Sequence, residues 1–258
     1  MMKRLQILAL IFPLLLLLSC APVSDTVTQV ATIDALLAGV YDGHLACGDL
    51  LQYGDTGVGT FDKLDGEMVV LDGTVYQVQA SGAIHTINAK TKTPFACVSF
   101  FNPEIAVPVD SGVSFEGFEA LIDQTVPNQN VFCVIKATGN FTMMKTRSVP
   151  AQTKPYPPLA EASKHQAIFE MQDVSGTIVG FRCPPFVKGV NVPGYHLHFL
   201  SNDHSKGGHI LGFEMKSGAC QIDLCNKFFL ILPEDAESFQ QADLSTDRTE
   251  ELNQVEKE

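Results

Sequence analysis

From Gly57 to Val78 the chain reads Gly-Val-Gly-Thr-Phe-Asp-Lys-Leu-Asp-Gly-Glu-Met-Val-Val-Leu-Asp-Gly-Thr-Val-Tyr-Gln-Val, so apolar runs are cut short at Asp65-Gly66 and Asp72-Gly73. Asp-Gly is tight-turn chemistry, because glycine takes positive φ without steric cost, and runs this short are strands rather than helices. A meander of adjacent strands is therefore expected here. The same pattern continues as expected strands at 95–101, 167–172, 176–181, 195–200, 209–215, 220–224 and 227–232. A hairpin is expected from Asn130 to Arg147, turning at Thr138-Gly-Asn-Phe. Helical spacing is confined to Thr32–Tyr41, with Thr32 as cap and Gly43 as stop, to Phe115–Gln124, and to a short segment near Leu159–Lys164. No alternation of strand and helix supports a doubly wound sheet. The expectation is a strand-rich α+β fold in two domains, with mixed and antiparallel sheets and few helices. Four prolines between Val149 and Pro158 mark the expected boundary between an N-terminal mixed-sheet domain, 31–150, and a C-terminal antiparallel-sheet domain, 151–258.

The first 19 residues are read as a targeting segment and not as part of the fold. Lys3 and Arg4 precede an apolar run to Leu18, and Leu17-Leu18-Ser19-Cys20 resembles the lipobox of bacterial lipoproteins. The reading implies export, lipidation at Cys20, membrane attachment only through that anchor, and a loose linker over 20–30. Loss of Lys3 and Arg4 with the leader would take the formal net charge from -12 to -14, which excludes nucleic acid as an expected partner. Six cysteines follow Cys20: Cys47, Cys97, Cys133, Cys183, Cys220 and Cys225. Export permits disulfides, and of the roughly 15 possible pairings the first candidate is Cys220 with Cys225, flanking an expected turn. Cys97 and Cys133 lie in apolar runs, where a free thiol behaves as a small hydrophobe. The last 26 residues carry nine acids against Arg248 and Lys257 and read as a solvated acidic tail.

The chemistry is concentrated at Tyr195-His-Leu-His-Phe-Leu-Ser-Asn-Asp-His-Ser-Lys-Gly-Gly-His209. In an extended strand His196 and His198 leave the same face. The polar stretch 201–208 is a hairpin signal, and the returning strand would bring His209 alongside them. Three imidazoles leave Zn²⁺ an open fourth position, the pattern of a catalytic rather than a structural site. His204 falls in the turn and is expected to be exposed, while His44, His85 and His165 lack ligand spacing. Glu67 at a strand start and Arg147 at a strand end are each weak signals alone.

Four segments in order carry a family resemblance: Gly57 to Glu67, Lys145-Thr-Arg-Ser-Val-Pro, Gly189-Val-Asn-Val-Pro-Gly-Tyr-His-Leu-His-Phe, and Gly207-Gly-His-Ile-Leu-Gly-Phe. Through them the chain resembles the acetolactate decarboxylases. The resemblance implies zinc held by His196, His198 and His209, a site lined by Thr60, Glu67 and Arg147, and a glutamate reaching back from the C-terminus. Glu256 is the best match for that glutamate, with Glu251 the alternative. It further implies a homodimer and conversion of the small substrate (S)-2-acetolactate to (R)-acetoin and CO₂. In that chemistry zinc is a Lewis-acid electron sink, Arg147 holds the carboxylate, and a glutamate protonates the enediolate. Two other uses of three histidines remain: a non-catalytic zinc-binding lipoprotein, and a zinc-hydroxide lyase of the carbonic-anhydrase type. Neither has a need for a carboxylate-binding arginine.

Overall fold

A computed structural model describes residues 25–257; the leader and Cys20, with the anchor expected there, lie outside the described residues. The chain opens with β1 (Thr26–Val30), α1 (Ile33–Leu37), β2 (Leu45–Ala46) and α2 (Cys47–Leu50). The meander follows as β3 (Thr56–Thr60), β4 (Glu67–Leu71), β5 (Thr74–Val78) and β6 (Ile84–Thr86). Short strands β7 (Lys92–Thr93), β8 (Ala96–Ser99), β9 (Ile105–Val109) and β10 (Val113–Ser114) lead into α3 (Phe115–Thr125). Then come β11 (Phe132–Ser148), α4 (Leu159–Ala162), β12 (Ala167–Cys183), β13 (Gly194–Ser201) and β14 (Gly207–Cys225). The chain closes with β15 (Lys227–Ile231), α5 (Glu237–Gln241) and α6 (Thr249–Lys257).

Two large sheets result, and the strand-rich α+β class holds. The first is mixed, ordered β15-β1-β8-β3-β4-β5-β6, with β15 parallel to β1 and the other pairs antiparallel. In the second, β14, β11, β12 and β13 pair antiparallel in turn and β13 returns to β14, closing a ring; β9 and β10 lie along β14. Met144, Ile178, Leu197, Phe199, Ile210 and Phe213 pack together on the inner side of the ring, with Phe118 and Ile122 of α3 in the same cluster. On its outer side Val134, Val179, Phe181 and Leu200 meet Val58, Val69 and Val78 of the first sheet. Each such side chain contributes roughly 1.5–3 kcal/mol by leaving water, so this interface holds the two sheets in fixed relation.

The sequence expectations are corrected at four points. Residues 26–30 of the expected linker are a central strand: Val27, Thr28, Gln29 and Val30 are all buried, and Gln29 Nε2 donates to the carbonyls of Ala31 and Val190. The prolines at 150–158 do not divide the sheets, because β11 precedes them yet pairs with β12 and β14, and β15 follows them yet joins β1. The hairpin expected at Thr138-Gly-Asn-Phe is one unbroken 17-residue strand, and the breaks expected near 173–175 and 216–219 also vanish into β12 and β14. Gly139 lies in register with Gly176 on one side and Gly218 on the other. A Cβ at Gly139 would sit 2.3 Å from the Ser217 carbonyl oxygen, and one at Gly176 2.4 Å from the Phe199 ring. These glycines permit close strand approach rather than turns. Finally, Cys220 and Cys225 are both free and buried, as are the other four cysteines; five residues apart in one strand, they face opposite sides of the sheet.

Candidate active site

The three histidines converge as their spacing requires. His196 and His198 share one face of β13, and the hairpin to β14 sets His209 directly opposite His198. The ring centroids form a near-equilateral triangle of 5.1, 5.2 and 5.3 Å. One nitrogen from each ring lies within 4.8 Å of the others. His204, by contrast, is exposed in the turn.

Burial holds all three imidazoles below the ordinary histidine value, and the nearby Arg147 charge pushes in the same direction. They are therefore neutral at pH 7 and have lone pairs to give. His198 Nδ1 lies 2.8 Å from the Met68 carbonyl, which as acceptor fixes the proton on Nδ1 and frees Nε2 for a ligand. Buried His198 Nε2 and His209 Nδ1 find no hydrogen-bond partner among the described residues. Such orphans are costly in a dry site, and a cation among the rings would satisfy them. The residues thus fit a metal ion of the kind that imidazoles bind.

The first sheet supplies the opposite wall. Glu67 begins β4, where it pairs with Thr60 on β3. Its Oε1 accepts from Arg147 Nη1 at 3.3 Å, while Oε2 stands 3.7 Å from His198 Nε2. Burial pushes the Glu67 carboxyl up to about 7; Arg147 pulls it down, Glu256 pushes it up, and the Val149 backbone N–H pulls it down. Thr60 Oγ1 donates to the Gly66 carbonyl at 2.7 Å, bracing the turn that presents Glu67. Arg147, next to last in β11, lies directly opposite His209, so guanidinium and imidazole leave adjacent strands on one face.

The roof comes from the C-terminus, against the expectation of a solvated tail. In α6, Leu252 and Val255 are buried among Ile33, Leu36, Leu64, Phe95 and Leu159. Glu256 thereby points inward, with Oε2 3.9 Å from His209 Nε2, whereas Glu251 pairs with Arg248. The space these residues border is small, about 30 Å³, roughly the volume of one water. The apolar wall from α1, Phe95 and Leu159 was not anticipated, nor was the Met68 carbonyl. Leu252 and Val255, three apart in a polar segment, were the sequence signal for the packed helix.

Three neutral imidazoles and Arg147 on one face of the second sheet, met by the Glu67 carboxyl from the first, make up a buried polar site of the kind an enzyme offers a small molecule. Its relatives agree. Residues 27–246 match the family model for alpha-acetolactate decarboxylase. The alpha-acetolactate decarboxylase of Methanosarcina mazei is 46% identical over 234 residues, covering 91% of this chain and 81% of that protein. The Bacillus subtilis enzyme of that name is 38% identical over 84% of this chain and 85% of its own. A crystal structure of the Bacillus subtilis strain 168 alpha-acetolactate decarboxylase superposes with a TM-score of 0.88 at 35% identity, covering 90% of this chain and all of that one. The chain belongs to the alpha-acetolactate decarboxylase family and is an enzyme of the carboxy-lyase class. Thr60, Glu67, Arg147 and the three histidines lie within the matched stretch; Glu256 lies beyond it.

Proposed function

We propose that this enzyme decarboxylates (S)-2-acetolactate to (R)-acetoin and CO₂ with zinc held by His196, His198 and His209. The observation that carries the reading is the buried Arg147–Glu67 pair beside a buried histidine triad, with Glu67 Oε2 3.7 Å from His198 Nε2. When bound, zinc supplies a Lewis acid for the oxygen that takes up charge as CO₂ departs, worth several kcal/mol in such reactions. Arg147 presents a planar donor fork to the substrate carboxylate and fixes the breaking bond relative to the neighbouring carbonyl. Loss of CO₂ leaves an enediolate, whose carbon must then receive a proton from one face. Glu67 and Glu256 border the space and are the two carboxyl groups available to deliver it. Glu67 is suited by the burial that raises its proton affinity, although a bound dication would draw that affinity down. Thr60 braces the Glu67 turn and lines the same space.

Export as a lipid-anchored protein and assembly as a homodimer belong to the same proposal. Dimerisation is supported by β15, an edge strand of the first sheet with Phe229 exposed. The test is to incubate the purified chain with racemic acetolactate and follow acetoin, with and without a chelator. A metal-free protein that still turns over overturns the Lewis-acid reading. A zinc-loaded protein that makes no acetoin overturns the substrate.

A further inference from the structure

We infer that Thr146, which faces away from the metal cavity, is a positioning residue that sets where His209 stands and so how tightly zinc is held. The inference rests on the histidine triad being a zinc site. Along most of their length β11 and β14 pair regularly, but between Lys145 and Thr146 the register slips: Lys145 faces Gly212, whereas Thr146 faces Ile210 and Arg147 faces His209. One extra residue, Leu211, is thus accommodated as a bulge. Side chains alternate faces along a strand, so a one-residue slip decides on which side of the ring a residue emerges. Continued without the bulge, the pairing would set Ile210 opposite Arg147 and turn His209 toward the apolar interior. The bulge must therefore be held in place.

Thr146 is the group that holds it. Its side chain points into the ring, fully buried, on the side of β11 opposite Arg147. Its Oγ1 donates to the Gly207 carbonyl at 2.8 Å. That bond ties the first residue of β14, two before His209, to the strand that carries Arg147. Gly208 between them has φ +128°, and a Cβ there would lie 2.5 Å from the Arg147 carbonyl oxygen. The chain crosses β11 so closely at this point that only glycine fits, and the Thr146 hydroxyl is the side-chain hydrogen bond fixing the crossing. From there β14 runs to His209, opposite His198. The register partners of Thr146 on the two flanking strands, Phe169 and Ile210, are both apolar.

Thr146→Val keeps the shape and removes the donor; Thr146→Ser keeps the donor and removes a methyl. Zinc affinity is measured on chelator-stripped protein by competition with a chromophoric zinc indicator, beside the melting temperature of each metal-free variant. We expect Thr146→Val to bind zinc about 10–100-fold more weakly, the range for losing a group that orients a metal ligand, and Thr146→Ser to return to within a few-fold of wild type. A Thr146→Val protein with a lowered metal-free melting temperature but wild-type zinc affinity overturns the inference, because the hydroxyl would then serve only the fold. So does failure of both Thr146→Val and Thr146→Ala to fold. If wild type holds no zinc, or His198→Ala holds as much as wild type, the metal site itself is refuted, an outcome separate from the first.

Discussion

Glu67→Gln separates what the site does for chemistry from what it costs the fold. In the folded, metal-free protein burial lifts the Glu67 carboxyl to about 7 from an ordinary value of 4.5, even with Arg147 beside it. The unfolded chain releases that proton at the lower pH, so the folded state binds more protons throughout the interval between. Stability from this group is therefore greatest below the unfolded value, falls as pH rises, and levels off above the folded value. The penalty is about 1.4 kcal/mol near pH 5.5 and about 3 kcal/mol near pH 8. Glutamine mimics the protonated acid and pays none of it. Urea unfolding of chelator-treated wild type and Glu67→Gln at the two pH values should find the variant more stable at both, with the larger advantage at the higher pH. Acetoin formation by the zinc-loaded variant should fall by about 10²–10⁴-fold, the usual contribution of a positioned proton donor. A variant less stable than wild type near pH 8, or an advantage that does not change with pH, would refute the argument that burial dominates this carboxyl.

The remaining expectations concern the other walls. His198→Ala should lose both bound zinc, measured by elemental analysis, and acetoin production. Arg147→Lys keeps the charge but not the two-pronged donor geometry, and kcat/KM should drop by about 100-fold or more; near-normal turnover would remove Arg147 from substrate binding. Truncation after Leu252 deletes Val255 from the roof and Glu256 from the cavity, and turnover should fall by about 10²-fold. Comparison with Glu256→Gln in the full chain tells whether the roof or the carboxyl matters, and unchanged turnover in both would exclude the tail from the mechanism.

What the sequence made legible was local. Asp65-Gly66 and Asp72-Gly73 announce chain reversals in their own dipeptides: Asp72-Gly73 is the turn joining β4 to β5, and Asp65-Gly66 closes the longer connection from β3 to β4. His196 and His198 announce a shared face by their spacing, and Gly207-Gly208 announces the return that brings His209 to them. What stayed hidden depends on neighbours distant in the chain. Gly139 looked like a turn because glycine serves equally where a chain reverses and where two strands press together, and the strand breaks expected beside Gly176 and Gly218 are absent for the same reason. Only their mutual register, across strands separated by tens of residues, distinguishes the two uses. The charge of the tail outvoted Leu252 and Val255 for a similar reason: two apolar residues matter only if α1, Phe95 and Leu159 offer somewhere to put them.

The active site sits where those two kinds of information meet. The motif at 145–150 names Arg147, and the motif at 207–213 names His209, but neither says that the two side chains leave adjacent strands on one face. Pairing extended from the regular part of β11 and β14 gives the opposite answer and sends His209 inward. The bulge at Leu211 reverses it. A local irregularity of one residue thus determines whether the arginine and the third histidine share a cavity. The glycine pair allows that irregularity and Thr146 holds it, so residues that face away from the site help to set its geometry.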